Sequence, residues 1–456
     1  MPENKLPRLP GPALARSIAR LPALVLCALA GLIGSICAPP AARAASETAA
    51  LQADLGRQLR LAGPASGAYV YDLTAQRALF SERASTPRPP ASVEKLYTAT
   101  TALSRLGASA RLSTTVLGVG ALAPGGVWQG SLYLRGGGDP TFGSTKFIRD
   151  HYNGIGASLS ALVRTLVRVD GIHSITGSIE GDESYLDSRR GEPSSGYAPD
   201  PFLEGTLSGL AFDRGATGSE GGPHAPAAYA ARELWGALKA AGVRIGGSHG
   251  AGATPLGATA LAEVQSPTLA QLLGLMLPYS DNFFAETLIK DLGARFAGSG
   301  TTAAGAAVTA QTIATLFAIH PRVRDGSGLS PADRTSPDQV VELLSRLAST
   351  PDGAVLRASL AVAGRSGTLA MRMRGTRAAG RCQGKTGTLT GVSNLVGYCR
   401  SSDGHLLVFA VFTDAIAIEA AHVLQDHIAI TLASSTLGPP GPAAAGRVTR
   451  RLVRAG

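Results

Sequence analysis

Lysine is scarce in this 456-residue chain, with six lysines against 36 arginines. A lysine beside a characteristic neighbour therefore carries more weight here than in an average protein. Aromatic residues make up only 5% of the chain and no basic stripe is interleaved with them, which removes the footprint of a nucleic-acid binder. The formal net charge of +10 does not restore it. Residues 1–44 carry a net +4, and Arg447, Arg450, Arg451 and Arg454 add four more at the other end, leaving +2 for everything between. The eight histidines and four cysteines show no metal-ligand spacing, so neither a metal nor any other cofactor is expected.

What is present at the N-terminus is a basic stretch with Lys5, Arg8, Arg16 and Arg20, an apolar run from Leu21 to Ala38, and Ala42-Arg43-Ala44. These are the parts of a secretory signal peptide over 1–44, with cleavage after Ala44. Export to the periplasm or cell envelope follows. The apolar run borders on spanning length, so an uncleaved anchor is the alternative, and a membrane or envelope association stays open. The residues before Cys27 and Cys37 form no lipoprotein box. The other two cysteines, Cys382 and Cys399, bracket a turn at Thr390-Gly391, where an antiparallel hairpin would bring them opposite each other. An exported chain with cysteines so placed is expected to join them in a disulfide.

Between the termini, an amphipathic helix is expected over Glu47 to Leu61, then a strand pair at Ala68 to Asp72 and Arg77 to Phe80. Pro87, Pro89 and Pro90 interrupt regular structure just before a helical stretch from Ser92 to Leu106. Short strands and glycine-rich turns follow, closed by a helix over Ala227 to Ala241. Helical periodicity returns from Pro267 to Leu277, where Pro278 breaks it, and again from Asn282 to Leu292. Three strands at hairpin spacing, Gly384 to Leu389, Leu395 to Arg400 and Leu406 to Thr413, precede a helix over Ile418 to Ala433. Residues 438–456 begin Gly-Pro-Pro-Gly-Pro and end in arginines, the composition of a disordered tail.

Three strings stand in order on this framework: Ser92-Val93-Glu94-Lys95, Ser280-Asp281-Asn282 and Lys385-Thr386-Gly387. A serine hydroxyl is a weak nucleophile until a neighbouring base takes its proton. Lys95, three residues on, shares a helix face with Ser92 and can be that base once neutral, which arginine cannot. Burial or a neighbouring cation such as Lys385 would neutralise it. Ser280 is placed to relay a proton to the leaving group and Asn282 to bond a substrate amide. Lys385, Thr386 and Thr388 offer a cation and hydroxyls to a terminal carboxylate, and the backbone N–H groups of Ser92 and Thr388 an oxyanion hole. Asp281 and Glu286 read as structural, and the glycine-flanked Asp139 and Asp325 as turn residues. The pattern is that of a serine acyl-transfer enzyme.

The S-x-x-K, S-D-N and K-T-G set is shared by class A β-lactamases and penicillin-binding proteins. With Gly136-Gly137-Gly138-Asp139-Pro140-Thr141, Ser280-Asp281-Asn282-Phe283-Phe284-Ala285-Glu286, Asp325-Gly326-Ser327-Gly328-Leu329-Ser330 and Gly367-Thr368-Leu369, the chain resembles the class C low-molecular-mass penicillin-binding proteins, the D-alanyl-D-alanine carboxypeptidase/endopeptidase family, over about residues 48–433. The 188-residue gap between Ser92 and Ser280 fits that family and not β-lactamases. The resemblance implies an α/β (α+β) serine β-lactamase/transpeptidase-like fold: an antiparallel sheet flanked by helices, an all-helical lobe, and Ser92 at their seam. It implies a discontinuous penicillin-binding domain over 45–115 and 261–437 with an inserted β-rich module at 116–260. It also implies peptidoglycan stem peptides as substrates, loss of their terminal D-alanine or cleavage of cross-links, and β-lactams as covalent inhibitors. One departure is Asp333-Arg334, where the family usually has an Asn-Arg pair. The rival readings are a β-lactamase or esterase on the same scaffold, and a non-catalytic envelope-binding protein that keeps the fold.

Overall fold

The computed structural model describes residues 40–215 and 225–439. The expected signal peptide up to residue 39 and the tail beyond 439 lie outside the described residues. The chain opens with helix α1 (Pro40–Leu61), which starts before the expected Glu47, and the hairpin β1 (Gly67–Asp72) and β2 (Arg77–Glu82). A 3₁₀ turn, Ala91–Glu94, leads into α2 (Lys95–Leu106). There follow β3 (Ser113–Ala123), β4 (Val127–Gly136), α3 (Thr145–Tyr152), α4 (Leu159–Arg164), β5 (Ser174–Ile175), β6 (Ile179–Asp182), α5 (Pro226–Ala240), β7 (Arg244–Ile245), β8 (His249–Ala251) and β9 (Thr259–Gln265). Helices α6 (Leu269–Tyr279), α7 (Asn282–Ala297), α8 (Thr302–Phe317), α9 (Pro337–Leu347) and α10 (Pro351–Ala358) come next. The chain closes with β10 (Ala361–Val362), β11 (Cys382–Leu389), β12 (Val392–Arg400), β13 (Leu406–Asp414) and α11 (Ile418–Ser434).

The first sheet runs β10-β11-β12-β13-β1-β2, antiparallel throughout. Its central strands are apolar on both faces because both are covered. Val396, Val408, Ala410 and Phe412 pack with the helical lobe of α2, α6, α7 and α9, while Leu395, Leu407, Phe409 and Val411 pack under α1 and α11. This is the expected architecture, an antiparallel sheet between helices. The turn between β11 and β12 contains Gly391 at φ 72°, a left-handed conformation that favours glycine. It sets the register that places Cys382 opposite Cys399. Their Cα atoms lie 4.1 Å apart and the two sulfurs form a disulfide.

The second sheet is built between Ser113 and Gln265 in the order β7-β5-β4-β3-β9, with β6 joining β4 to β8. Its β3 pairs are antiparallel, but β4, β5, β6, β7 and β8 pair in parallel, which needs crossovers rather than hairpins. Helices α3 to α5 supply them, so the region is less purely β than its glycine-rich sequence suggests. Its own core gathers Val116, Leu132, Leu162, Ile179 and Leu234.

Two boundaries differ from the expectation in ways that matter for function. Ser92 lies in the 3₁₀ turn before α2, with Lys95 the first residue of the α-helix proper. Helix α6 runs through Pro278 to Tyr279, because a proline in the last turn forfeits only one hydrogen bond. What ends α6 is Ser280, in the left-handed region at φ 64°.

Candidate active site

The three sequence strings meet at the seam between the first sheet and the helical lobe. The 3₁₀ turn presents the Ser92 hydroxyl, and α2 carries Lys95 beneath it, fully buried. Lys95 Nζ lies 2.9 Å from Ser92 Oγ, 2.6 Å from Asn282 Oδ1 and 2.7 Å from the carbonyl oxygen of Ser327. An ammonium has three protons, and here all three have acceptors. On deprotonation, Asn282 and Ser327 hold the two remaining N–H groups, and the lone pair is left facing the Ser92 hydroxyl.

Lys385, on β11, is also buried, and its Nζ donates to Ser280 Oγ at 2.8 Å and to the Thr386 carbonyl at 2.7 Å. The Thr386 hydroxyl donates to that of Thr368 at 2.9 Å. Thr388 is exposed on the same strand. The glycine of the K-T-G string has a steric reason: a Cβ on Gly387 would stand 2.5 Å from the Pro90 carbonyl oxygen and 3.2 Å from Ser92 N. Glycine lets β11 close on the nucleophile turn. Asn394 Nδ2 fixes that turn from β12, donating to the carbonyls of Pro89 and Pro90 at 2.9 Å each.

Both lysines are shifted downward. Burial lowers Lys95 to about 8, against the upward pull of Asp325, Glu286, Asp281 and Glu94. Burial and then the charge of Lys95 bring Lys385 well below the usual lysine range. Of the two causes expected for Lys95, burial is the one that operates there, and the effect of one lysine on the other falls on Lys385. Among the described residues no carboxylate contributes at Lys385.

Behind Lys95 lies a set of buried carboxyl groups. Glu286 Oε1 accepts from the N–H groups of Gly326 and Ser327 at 2.8 Å each, and so shapes the loop whose Ser327 carbonyl holds Lys95. Burial and the charge of Asp325 push Glu286 up to about 8. Asp325 closes the same loop by accepting from the N–H groups of Gly328 and Ser330 at 2.6 Å each. Glu94 is buried and raised well above the carboxylate range by burial, Asp325 and Glu286. Asp139 accepts from the N–H and hydroxyl of Thr141 at 2.8 and 2.7 Å, a turn role as expected, and burial pushes it up to about 7. Asp281 caps α7 by accepting from Phe284 N. Asp333, at the position of the departure from the family pattern, is turned into the interior and accepts from Arg324 N at 2.6 Å.

Six of the seven expected site residues therefore meet at one seam, in two hydrogen-bonded groups: Ser92, Lys95 and Asn282, and Ser280, Lys385 and Thr386, with Thr388 two residues beyond. Sequence reasoning did not single out Ser327 or Thr368 as contributors, although both sit in strings that carry the resemblance. Phe202 and Arg214 carry no signal in sequence: the Phe202 carbonyl accepts from Asn282 Nδ2 at 2.7 Å, and Arg214 pairs with Asp281. Among the described residues no group of histidine, cysteine and acidic side chains could hold a metal ion, and no helix is long and apolar enough to cross a membrane.

This geometry agrees with the comparisons. A D-alanyl-D-alanine carboxypeptidase of Actinomadura sp. (strain R39) is 30% identical over 82% of each chain. A carboxypeptidase of Mycobacterium tuberculosis is 31% identical over 81% of this chain and 79% of its own. The fold matches the crystal structure of penicillin binding protein 4 from Haemophilus influenzae with a TM-score of 0.69 at 19% identity, over 82% of this chain and 97% of that one. The D-Ala-D-Ala carboxypeptidase 3 (S13) family profile matches residues 48–200 and 217–435, and the chain belongs to that family.

Proposed function

We propose that the chain is a serine-type D-alanyl-D-alanine carboxypeptidase and D,D-endopeptidase of peptidoglycan stem peptides, working through an acyl-enzyme on Ser92. The observation that carries this reading is the Lys95 ammonium held between Ser92, Asn282 and Ser327. Neutral Lys95 takes the hydroxyl proton as Ser92 Oγ attacks the carbonyl carbon of the penultimate D-alanine. The N–H groups of Ser92 and Thr388 take the oxyanion. As the C–N bond breaks, the proton passes from Lys95 through Ser280 to the leaving amine, and water later hydrolyses the ester. Asn282 keeps one N–H beyond its bond to Phe202, enough to hold the substrate's amide carbonyl. The terminal carboxylate docks on Lys385, Thr386 and Thr388, where it supplies the negative charge that Lys385 otherwise lacks. An endopeptidase uses the same steps with a cross-linked amine as leaving group. In this reading residues 116–260 are a module inserted in the penicillin-binding domain, and the enzyme works outside the cytoplasm.

The β-lactamase alternative needs a base that drives rapid deacylation. The carboxyl groups behind Lys95, Glu94 and Glu286, are buried and raised, so they are poor bases near neutral pH. A long-lived penicilloyl-enzyme follows. Incubation of the protein with a labelled penicillin and, separately, with a muropeptide ending in D-Ala-D-Ala tests both readings. Label on Ser92 and release of D-alanine are expected; rapid penicillin turnover without D-alanine release would replace the proposal by a β-lactamase.

A further inference from the structure

The region of the second sheet, residues 113–265, grips one helix of the catalytic cleft along its length. On α7, Asn282 is held by the Phe202 carbonyl, Lys290 Nζ donates to Asp187 Oδ1 at 2.5 Å and to the Arg189 carbonyl at 2.8 Å, and Asp291 Oδ1 accepts from the Tyr185 hydroxyl at 2.5 Å. At the head of this row Arg214 forms an ion pair with Asp281 Oδ2, both side chains being 12% exposed. Arg214 is held from several sides. Its Nε donates to the Tyr152 hydroxyl at 2.7 Å, and its guanidinium lies within 5.5–5.6 Å of the ring centres of Tyr152, Phe283 and Phe284. Its backbone takes the left-handed φ of 62°, next to Asp213 at 46°. A non-glycine pair in that region is strained and persists only where surrounding contacts demand it.

We propose that Arg214 is a positioning residue for the acylation step, fixing the Ser280-Asp281-Asn282 turn against Lys95 and neutralising the one acidic side chain of that turn. The inserted region would then do more than shape the cleft wall: it would complete the electrostatics of the general base. The inference rests on the reading of Ser92 as nucleophile.

The charges facing Lys95 come from every element around it: Glu94 from its own turn, Asp281 and Glu286 from the α7 end, Asp325 from the loop before Ser330, and Lys385 from β11. Glu94, Glu286 and Asp325 are buried and raised. Asp281 is the one of the four that pairs with an arginine. Without that cation its negative charge falls unbalanced on Lys95, the ammonium form is favoured, and the base is available only at higher pH.

The test is the pH dependence of the second-order rate of Ser92 acylation by a labelled penicillin, with Tm measured alongside. Arg214→Met should slow acylation at pH 7 by about tenfold and move the acid limb of the profile up by about one unit. Arg214→Lys, which keeps the charge but loses the fork, should leave the limb in place. Asp281→Asn keeps the helix cap and should return the limb of the Arg214→Met protein towards that of the parent. A merely structural role would lower Tm and rate without moving the limb, and an unmoved limb in Arg214→Met overturns the proposal. Should that variant not fold, Asp281→Asn alone decides: the limb must move to lower pH, and an unchanged limb is refutation. Failure of the parent itself to label at Ser92 would instead refute the acyl-enzyme reading, and this inference with it.

Discussion

Lys95 Nζ and Ser92 Oγ are 2.9 Å apart, and the two other protons of that ammonium are committed to Asn282 and Ser327. Neutral Lys95 therefore has one direction in which to accept a proton. Acylation by penicillin should rise with pH along a limb centred near the lysine's value of about 8. The sign follows from the base being active only when deprotonated. Ser92→Ala should abolish labelling, and Lys95→Arg should slow acylation by roughly 10²- to 10⁴-fold despite its charge, the usual worth of a general base. Stopped-flow acylation between pH 6 and 10, with mass mapping of the adduct, checks both; a flat profile would remove Lys95 from the base role.

Lys385 is buried with a cation nearby and, among the described residues, no carboxylate to balance it. Its grip should depend on the substrate's terminal carboxylate, a charge-assisted hydrogen bond worth roughly 1.5 to 3 kcal/mol. Lys385→Ala should slow hydrolysis of a free-acid D-Ala-D-Ala peptide by about 10- to 100-fold, at roughly 1.4 kcal/mol per decade, and that of the carboxamide analogue much less. Kinetics of both enzymes on both peptides form the double-mutant cycle. Equal losses would place Lys385 elsewhere in the mechanism.

Gly387 tolerates no side chain, since its Cβ would meet the Pro90 carbonyl oxygen at 2.5 Å. Gly387→Ala should push β11 away from the nucleophile turn, costing about 1–3 kcal/mol of stability as overpacking does. Acylation should fall more steeply than Tm suggests, because the displaced strand carries the Thr388 N–H proposed for the oxyanion hole. Thermal unfolding and acylation rates on the same preparation separate the two effects, and a variant with parental acylation would show that the strand has room to spare.

The Cys382–Cys399 bond joins β11 to β12 across 17 residues. A loop of that length is worth roughly 3 kcal/mol in the chain-entropy account. The Cys382→Ala/Cys399→Ala protein should unfold at a lower denaturant concentration while retaining Ser92 acylation under native conditions. Denaturant melts with and without reductant measure the difference, and non-reducing peptide mapping should recover the linked pair.

The parts of the site that sequence made legible are those whose chemistry lives in a side chain with a fixed near neighbour: Ser92 with Lys95, Ser280 with Asn282, Lys385 with Gly387. Phe202 and Ser327 act through backbone carbonyls, which every residue owns, so no residue type marks them. Arg214 is one of 36 arginines and meets Asp281 only because the chain returns from a different sheet. The first sheet was readable from long apolar strands at hairpin spacing. Strands β5, β7 and β8, two or three residues each, are too short to show alternation, which hid the parallel half of the second sheet. Helices α8 to α10 fall outside the expected elements, though the regular apolar spacing of α9, with Val340, Val341, Leu343, Leu344 and Leu347 buried, carries that signal.

Strand β10 pairs with β11 only at Gln383 and Gly384. From Lys385 onward the outer edge of β11 has no neighbouring strand among the described residues. An incomplete sheet edge beside a nucleophile is a template for an extended chain, and a stem peptide laid along it would add a further strand by backbone pairing. Such recognition reads main-chain direction and the alternation of side chains more than their identity. Cross-linked and uncross-linked peptides, alike in backbone around the scissile bond, would then enter by the same docking rule and differ only in what hangs from the departing amine.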